Sequence, residues 1–408
     1  MFFFYFNFKE IYKKKYVFFI CRLISLFISL IWLPLALLIV ILKPLIFIRV
    51  GHLNSARIGH LVKETNLYLL GERLIRKKNT LSSIDLFFKS PTTCNKVILE
   101  IFNNLGITVI PRFFIFHLYF WLKLLNKKHI IQMAPLDRDL DHLVLKSPII
   151  FKLPKKYKLN CEKIIQNLGI PSKAKIVLLM SRDNFYLEKS FSKNHCIDNF
   201  RNIPIEDFKS SVEFLLSKGY YVFRMGNIAK ERLNINSENF FDYPFSSFKS
   251  AEMDIYLSSR CDFCISVATG LDQLAVMFKK PILYVNMVPF GHAQTNPSLI
   301  IFKKLFSNKL NRLLTFKEIM NSNLAHAFNS EEYIKANVTL INNNEDEILN
   351  SLKEFIKSVK SSKISLQKFS ESQKYFHKIW AKTKYHGQLR YGFISETFID
   401  SNKDLFEI

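Results

Sequence analysis

The segment FCISVATGLDQLAVMF (263–278) decides the fold, because it passes from an apolar strand pattern through a turn of small residues into a helical pattern. Phe263–Val267 predicts a buried strand and Leu271–Phe278 a helix. The flanking sequence repeats this order, with strands expected at 176–180, 220–224 and 282–285 and helices at 205–216 and 251–257. Such alternation is typical of βαβ units that build a parallel sheet.

A second series of alternating strands and helices precedes the one just described. Strands are expected at 45–50, 84–88 and 107–110, and helices at 56–70 and 95–105. A Lys-rich stretch with two prolines at 152–173 predicts the linker between the series, and the chain beyond residue 326 predicts helices at 348–359 and 364–380. The fold class is therefore α/β, with two Rossmann-like domains (51–170 and 171–325) facing across a cleft and a C-terminal helical extension (326–408).

Composition excludes several classes. The 408 residues carry 58 basic and 34 acidic side chains, a net charge of +24, yet 49% are hydrophobic, which excludes a disordered polyelectrolyte. The basic residues are spread along the chain instead of forming one stripe, so nucleic acid is not expected as a partner. Six scattered cysteines favour a reducing compartment. The pair Cys261 and Cys264 belongs either to the core or to a zinc or redox site.

The N-terminal segment 1–50 contains an uncharged apolar run at Leu23–Leu42, LISLFISLIWLPLALLIVIL. A helix of this length would be about 30 Å long, so the run predicts a membrane-associated, transmembrane helix. Pro34 leaves two topologies open. One is a single span, and the other is a re-entrant or monotopic anchor, because a proline in the middle of the run would kink or break the helix. Membrane lipids are accordingly expected as partners.

The turn after the strand at 263–267 has the residues that an anion site needs. Ser266, Thr269 and Gly270 let hydroxyl and backbone N–H groups approach a diphosphate at the start of the following helix. The alternative is that Thr269 or Gly270 only caps that helix.

Two arginines are expected at the carboxyl ends of neighbouring strands, the edge of a parallel sheet where ligands bind. Arg182 follows the strand at 176–180, and Arg224 ends the next one, just before Gly226. A guanidinium fork holds phosphate bidentately. For each arginine, an ion pair with an acid such as Asp183 is the alternative.

At these motifs the sequence resembles the glycosyltransferases of bacterial surface-polysaccharide (O-antigen and capsule) gene clusters. The resemblance is carried by Ser181-Arg182-Asp183 with Tyr186 and by 57–60, 219–226, 253–257, 266–271 and 392–398. It implies a GT-B-like pair of Rossmann domains, with the acceptor domain first and the donor domain second. Arg182 is also similar to the arginine that contacts donor diphosphate in fucosyltransferase-like enzymes, although Met180-Ser181 replaces the usual His-Val before it.

With this resemblance the candidate residues take roles. Donor-binding residues are Arg182, Tyr186, Arg224, Gly226, Ser266, Thr269 and Gly270. The catalytic base is expected in His60 or Asp183, with Asp242 and Asp254 as alternatives. Arg57 and His52 are expected to contact the acceptor. The twofold D-x-D at 137–141 lacks a preceding strand and favours a solvated turn, so metal-independent chemistry with no cofactor is expected.

The sequence thus predicts a nucleotide-sugar-dependent glycosyltransferase that acts on a lipid-linked or surface-polysaccharide acceptor. Since nucleotide sugars are cytosolic, the expected location is the inner (cytoplasmic) membrane, with the soluble domains on its cytoplasmic side. The alternative is a non-catalytic membrane-bound protein that binds a nucleotide or a glycan. Turnover distinguishes the two.

Overall fold

The computed structural model of the protein describes residues 25–76, 83–133, 139, 142–183, 185, 199–292, 297–360, 370–380 and 392–407. The chain divides into two compact units, unit 1 (Met1–Asp137) and unit 2 (Arg138–Ile408). This division lies earlier than the expected linker at 152–173. The reason is that the Lys-rich stretch contains a helix, Lys155–Asn167, whose Cys161 and Ile165 are buried in unit 2.

Unit 1 is a parallel four-stranded α/β unit with the order β3-β2-β1-β4. Its strands are β1 (Phe47–Leu53), β2 (Ser83–Lys89), β3 (Thr108–Val109) and β4 (Ile130–Ile131), and its helices are α1 (Leu33–Ile41), α2 (Ile58–Arg76), α3 (Lys96–Asn104) and α4 (Arg112–Leu125). The predicted strands and helices of this half are confirmed. α4 was not expected, because its run RFFIFHLYFWLKLL is rich in aromatic residues that favour strands.

The apolar run at 23–42 is not one helix where the structure describes it. Helical residues at 25–30 end in a turn at Ile31 and Trp32, and α1 then begins with Pro34 in its first turn. Proline has no N–H for the helix ladder, which explains the break. Within the described ranges, no helix combines the length and the apolar character needed to cross a bilayer. The described residues therefore do not support the expected transmembrane helix, and the interruption at Ile31 and Trp32 agrees with the break expected near Pro34.

Part of this segment belongs to the core of unit 1. Ala36 and Ile39 of α1 are buried against Ile115, Leu118 and Leu122 of α4. The two helices thus pack together and cover one face of the sheet near Val50 and Phe88. The opposite sides of both helices keep apolar side chains exposed.

Unit 2 contains a seven-stranded parallel sheet with the order β14-β10-β9-β8-β5-β6-β7. Its strands are β5 (Lys175–Met180), β6 (Tyr220–Arg224), β7 (Phe240–Asp242), β8 (Phe263–Ser266), β9 (Ile282–Met287), β10 (Ser298–Phe302) and β14 (Gly392–Ile394). All of β8 and β9 is buried, as expected for a parallel sheet covered on both faces. The expected strands 176–180, 220–224, 263–267 and 282–285 are confirmed.

A small antiparallel sheet, β12-β11-β13, completes the strands of unit 2. It consists of β11 (Lys304–Ser307), β12 (Arg312–Leu313) and β13 (Val338–Ile341). The helices of unit 2 are α5 (Leu143–Lys146), α6 (Lys155–Asn167), α7 (Lys209–Ser217), α8 (Ala251–Arg260), α9 (Asp272–Met277), α10 (Phe316–Met320), α11 (Ser330–Lys335), α12 (Glu345–Lys360), α13 (Glu371–Trp380), α14 (Glu396–Ser401) and α15 (Lys403–Phe406).

The C-terminal region is more than the expected helical extension, since β14 joins the edge of the large sheet beside β10. The turn after β14 is fixed by Glu354 of α12. Its carboxylate accepts hydrogen bonds from the Ser395 hydroxyl at 2.7 Å and from the N–H groups of Glu396 and Thr397 at 3.1 Å. The tail motif 392–398 is thus a sheet strand followed by a capped helix.

Candidate functional site

The chain order of unit 2 places a crevice between β5 and β8. From β5 the chain proceeds to β6 and β7 on one side, and β8 begins the series on the other side. When the connections that follow two adjacent parallel strands run towards opposite edges of the sheet, a crevice forms between the carboxyl ends of these strands. Open α/β sheets bind ligands in this crevice. Met180 of β5 and Ser266 of β8 are register partners at this edge.

The loops after β5 and β8 begin side by side. The N–H of Val267 donates to the carbonyl of Met180 at 3.2 Å, and the N–H of Met225 donates to that of Leu179 at 2.7 Å. Three strand-end loops, from β5, β6 and β8, therefore begin at neighbouring positions. The structure thus brings Ser181, Arg182, Gly226 and Ser266–Gly270 to one edge of the sheet, as the sequence predicts.

The turn after β8 is held by an internal network. The Ser266 hydroxyl donates to Oδ2 of Asp272 at 2.7 Å, and Nε2 of Gln273 donates to Oδ1 at 2.7 Å. Ser266 and Asp272 are both fully buried. Ala268 has a φ of +58°, a left-handed conformation that is uncommon for a residue with a side chain. Strained positions of this kind cluster at ligand-binding loops.

In this described segment, one buried polar atom of the turn and one of the first turn of α9 lack a hydrogen-bond partner. Oγ1 of Thr269 is buried without one, and so is Oε1 of Gln273, whose residue is 7% exposed. An unsatisfied buried polar atom costs about 1–3 kcal/mol. Thr269 and Gln273 are therefore the polar groups that a ligand in the crevice would satisfy. Gly270 is exposed in the same turn.

The dipole of the helix that follows the turn contributes less to an anion site than the sequence suggests. α9 has only six residues, and Asp272 lies in its first turn. The carboxylate of Asp272 already interacts with the positive end of the helix dipole. An anion in the crevice would therefore be contacted by the Thr269 hydroxyl, the backbone of the turn and Arg182, and less by the helix dipole.

Asp183 connects two of the strand-end loops. Its Oδ1 accepts from the N–H of Phe185 at 3.1 Å, and its Oδ2 accepts from the N–H of Lys230 at 3.0 Å. Both carboxylate oxygens thus position backbone. Tyr186, expected near the donor, lies outside the described residues. Arg182 is half-buried beside Asp183 in the sequence.

Arg224 forms the ion pair that the sequence left as an alternative to donor contact. Its guanidinium is 3% exposed, lies 3.3 Å from Asp242 and donates to the carbonyl of Glu231. Burial raises the pKa of the Asp242 carboxyl, and the charge of Arg224 opposes that rise. Gly226, at φ +152°, lies in a backbone region that favours glycine, and a Cβ there would lie 3.3 Å from Pro244.

In unit 1, His60 has an acidic partner that was not predicted from the sequence. Nδ1 of His60 contacts Oε1 of Glu64, one helical turn further along α2. An ionised carboxylate only accepts, so the contact makes Nδ1 the donor and leaves Nε2 of a neutral ring as a base. The spacing i, i+4 was the signal available in the sequence. Arg57 is exposed immediately before α2.

His52 lies at the carboxyl end of β1 and has a different environment. Its ring stacks on Phe88 with centroids 4.9 Å apart, and its Nε2 lies 3.2 Å from the Ser90 hydroxyl. Burial, together with the charge of Arg112, lowers the pKa of His52 to about 4. At neutral pH His52 is therefore uncharged and contributes a polar, not a cationic, surface.

Among the residues that the structure describes, no group of three or more His, Cys, Asp or Glu side chains could hold a metal ion. Asp139 instead caps α5, accepting from the N–H groups of Leu143 and Val144, and Asp137 and Asp141 lie outside the described residues. Cys261 and Cys264 are both buried in the core, with their sulfurs 3.7 Å apart.

Two of the solved structures that are similar to this chain are glycosyltransferases. The ADP-heptose LPS heptosyltransferase II of E. coli is 11% identical, with a TM-score of 0.40, and the alignment covers 62% of this chain and 90% of that enzyme. A glycosyltransferase of family 9 from Veillonella parvula is 11% identical, with a TM-score of 0.38, covering 72% of this chain and 96% of the other. Neither a protein-family model nor a curated protein matches the sequence. The function is therefore argued from the residues of this chain.

Proposed function

We propose that the protein is a glycosyltransferase that takes a sugar from a nucleotide-sugar donor bound in the β5–β8 crevice of unit 2. One observation carries the proposal. At the topological switch point, a turn of small and hydroxyl residues holds the buried, unpartnered hydroxyl of Thr269 beside the loop of Arg182. Donor groups fixed in this way stabilise the charge that develops on a leaving diphosphate.

The acceptor belongs, in this proposal, to the sheet edge of unit 1. His60, oriented by Glu64, is suited to take the proton from an attacking sugar hydroxyl. Asp183 is less suited, because both of its oxygens hold backbone N–H groups. In this proposal the reaction needs no metal ion, because cationic and hydroxyl side chains stabilise the charge of the diphosphate.

The proposal is tested with the full chain and a panel of ADP-, UDP-, GDP- and CMP-sugars. Thr269→Val removes the hydroxyl but keeps the shape, so the stability should be unchanged or slightly higher while donor affinity falls about tenfold. Thr339→Val, which removes an exposed hydroxyl of the same unit, is the matched control and should change neither. Arg182→Gln should lower donor affinity as well.

The outcomes separate the two candidate functions. Nucleotide release that depends on Thr269 and Arg182 supports the transferase. Donor binding with no release under any acceptor condition supports the non-catalytic binding protein instead. Equal donor affinity in Thr269→Val and the wild type would remove the crevice from the proposal.

The membrane part of the proposal rests on the exposed side of α1 and α4. Phe113 is 49% exposed, Phe114 53% and Leu124 64%, and Ile41 of α1 is 71% exposed. Exposed lysines accompany them at 123, 127 and 128. Apolar side chains bordered by lysine are typical of helices that lie in the interface of an anionic membrane. We place this surface on the cytoplasmic leaflet, where nucleotide sugars are available.

Vesicle co-sedimentation tests this surface. The wild type should bind vesicles of phosphatidylglycerol and phosphatidylcholine more strongly than vesicles of phosphatidylcholine alone. The double variant Phe113→Ser/Phe114→Ser should lose most of that binding, whereas Phe328→Ser, an equally exposed phenylalanine of unit 2, should not. Equal binding by all three proteins would exclude the surface.

A further inference from the structure

A surface of unit 2 is built almost entirely from lysine. Residues 146–175 contain eight lysines and one acid, Glu162, a net charge of +7. All eight lysines are exposed, at 146, 152, 155, 156, 158, 163, 173 and 175. The bias is local, because α12 of the same unit has four acidic and three basic residues, whereas α6 has one acidic and four basic residues. These residues, 146–175, define the lysine surface.

The helix α6 presents the centre of the lysine surface. Its buried side chains are those of Cys161 and Ile165. At 3.6 residues per turn, Lys155, Leu159 and Lys163 follow one another at intervals of four along the side that faces away from Cys161. All three are exposed. The outer side of α6 therefore carries a leucine between two lysines.

Two other cations fasten this surface to the remainder of unit 2. Nζ of Lys279 donates to the carbonyls of Leu145 and Ser147, at 2.9 and 2.7 Å, where the segment begins. The guanidinium of Arg260 donates to the carbonyl of Ser172 near its other end. The exposed lysines therefore project from backbone that is held at both ends.

The start of α6 is unfavourable for the stability of the helix. Its first turn, which the structure describes in full, contains no acidic residue and no side-chain cap, and Lys155, Lys156 and Lys158 lie there. Cations repel the positive end of a helix dipole, so these lysines cost stability. An anionic partner would offset that repulsion. Local choices that oppose stability are expected at functional sites.

The residue types favour a lipid surface over a nucleic acid. All cations of the segment are lysines, which are compact point charges, whereas nucleic-acid sites use arginine forks and stacked aromatic rings. The rings here are engaged, since Phe151 is buried and Lys156 lies over Tyr157. Leu159, at 49%, and Ile149, at 37%, are exposed among the lysines. Lysines around exposed aliphatic side chains suit the headgroup region of an anionic bilayer.

We propose that the lysine surface binds anionic phospholipid headgroups and forms a second membrane contact, located in unit 2. The contact of α1 and α4 belongs to unit 1 and depends mainly on apolar side chains, whereas this one depends on charge. The inference rests on neither donor binding nor sugar transfer. Two contacts on one chain strengthen each other, so loss of either weakens membrane binding of the full chain.

Vesicle co-sedimentation of the full chain tests the lysine surface. Lys155→Gln/Lys163→Gln removes two charges from the outer side of α6. Each lysine close to an anionic membrane contributes about fivefold in affinity, so the double variant should bind vesicles that contain phosphatidylglycerol about 25-fold more weakly at low salt. On vesicles of phosphatidylcholine alone it should bind like the wild type. Higher ionic strength should reduce the difference on anionic vesicles.

Matched variants control for net charge and for apolar exposure. Lys309→Gln/Lys403→Gln removes two exposed lysines of unit 2 outside the lysine surface and should retain wild-type binding. Leu159→Gln should weaken binding to anionic vesicles, whereas Leu310→Gln, at a leucine that is 51% exposed, should not. Thermal unfolding of each variant within a few degrees of the wild type shows that the fold is retained.

Three results would overturn the inference: no binding of anionic vesicles by the wild type, unchanged binding by Lys155→Gln/Lys163→Gln, or an equal loss in Lys309→Gln/Lys403→Gln. A parallel titration with a single-stranded DNA oligonucleotide covers the other partner. If the lysine pair is needed for DNA but not for vesicles, the surface belongs to a nucleic acid and the membrane contact is excluded.

Failure of the proposed function is recognised separately, through the donor panel. If no donor binds but vesicle binding still depends on Lys155 and Lys163, the membrane contact stands and the transferase does not.

Discussion

The Ser266 hydroxyl donates to Oδ2 of Asp272 at 2.7 Å across the turn that connects β8 with α9. Both residues are fully buried, so this bond closes a turn that contains the left-handed Ala268 and the unpartnered Thr269 hydroxyl. The shape of the proposed donor crevice therefore depends on a pair whose members need not touch a ligand. Their role is to position the turn.

Ser266→Ala leaves Oδ2 of Asp272 buried without this donor. We expect the free energy of unfolding to fall by about 1–3 kcal/mol, because a buried acceptor loses its hydrogen bond. Donor affinity should fall as well, since the turn loses its constraint. Urea unfolding and donor titration measure the two effects.

Ser217→Ala is the control for this variant, because its exposed hydroxyl bonds only a helix carbonyl. It should change stability by less than about 0.5 kcal/mol. Unaltered stability in Ser266→Ala would mean that the pair does not hold the turn.

Arg224→Met distinguishes a structural arginine from a donor-binding one. Removing one partner of a buried ion pair leaves Asp242 without its cation and costs about 3–5 kcal/mol. We therefore expect a large loss of stability, measured by thermal unfolding, and little change in donor affinity at a temperature where the variant is folded. Arg224→Met/Asp242→Leu should recover part of the stability, since no unpaired charge remains. A selective loss of donor affinity in a stable Arg224→Met would restore the donor role.

The central strands of the seven-stranded sheet could be predicted from the sequence, because a strand buried on both faces is an almost uninterrupted apolar run. The run at 176–180 is such a case, and it places Arg182 at the carboxyl edge. The turn at Ser266–Gly270 was predictable as a strand-end loop, whereas the return of β8 to the free side of β5 is decided by tertiary contacts.

Other features depend on contacts between residues distant in sequence. β14 pairs with β10, and the paired residues Ser298 and Gly392 lie 94 positions apart in the sequence. β14 itself has only three residues, which are too few to show a recognisable strand pattern. Whether Arg224 meets an acid or a ligand is also decided by tertiary contacts, here with Asp242.

Glu64→Gln tests the orientation of His60. The amide keeps the size of the side chain but removes the charge that favours the imidazolium formed when His60 accepts a proton. We expect turnover to fall at least about tenfold, with donor affinity unchanged. His60→Ala should reduce turnover by about 100-fold or more, the usual contribution of a general base.

The double variant His60→Ala/Glu64→Gln tests whether the two residues act together in the same step. If Glu64 acts through His60, adding Glu64→Gln to His60→Ala should cause no further loss of turnover. Additive losses would show that Glu64 acts independently of the histidine.

Asp254 predicts a pH dependence of stability. Burial raises the pKa of this carboxyl to about 7, and the Tyr243 hydroxyl and Lys249 oppose the rise while Glu252 adds to it. The folded state therefore favours the protonated form, and this contribution to stability is complete below about pH 4 and lost as the pH rises towards 7.

Asp254→Asn keeps a neutral hydrogen-bonding group at every pH. Its stability relative to the wild type should thus increase between pH 4 and pH 8, by up to about 4 kcal/mol. Asp400→Asn, at an exposed carboxyl of α14, should show no such trend in parallel urea unfolding. A constant difference between Asp254→Asn and the wild type across this range would show that Asp254 titrates alike in the folded and unfolded chains.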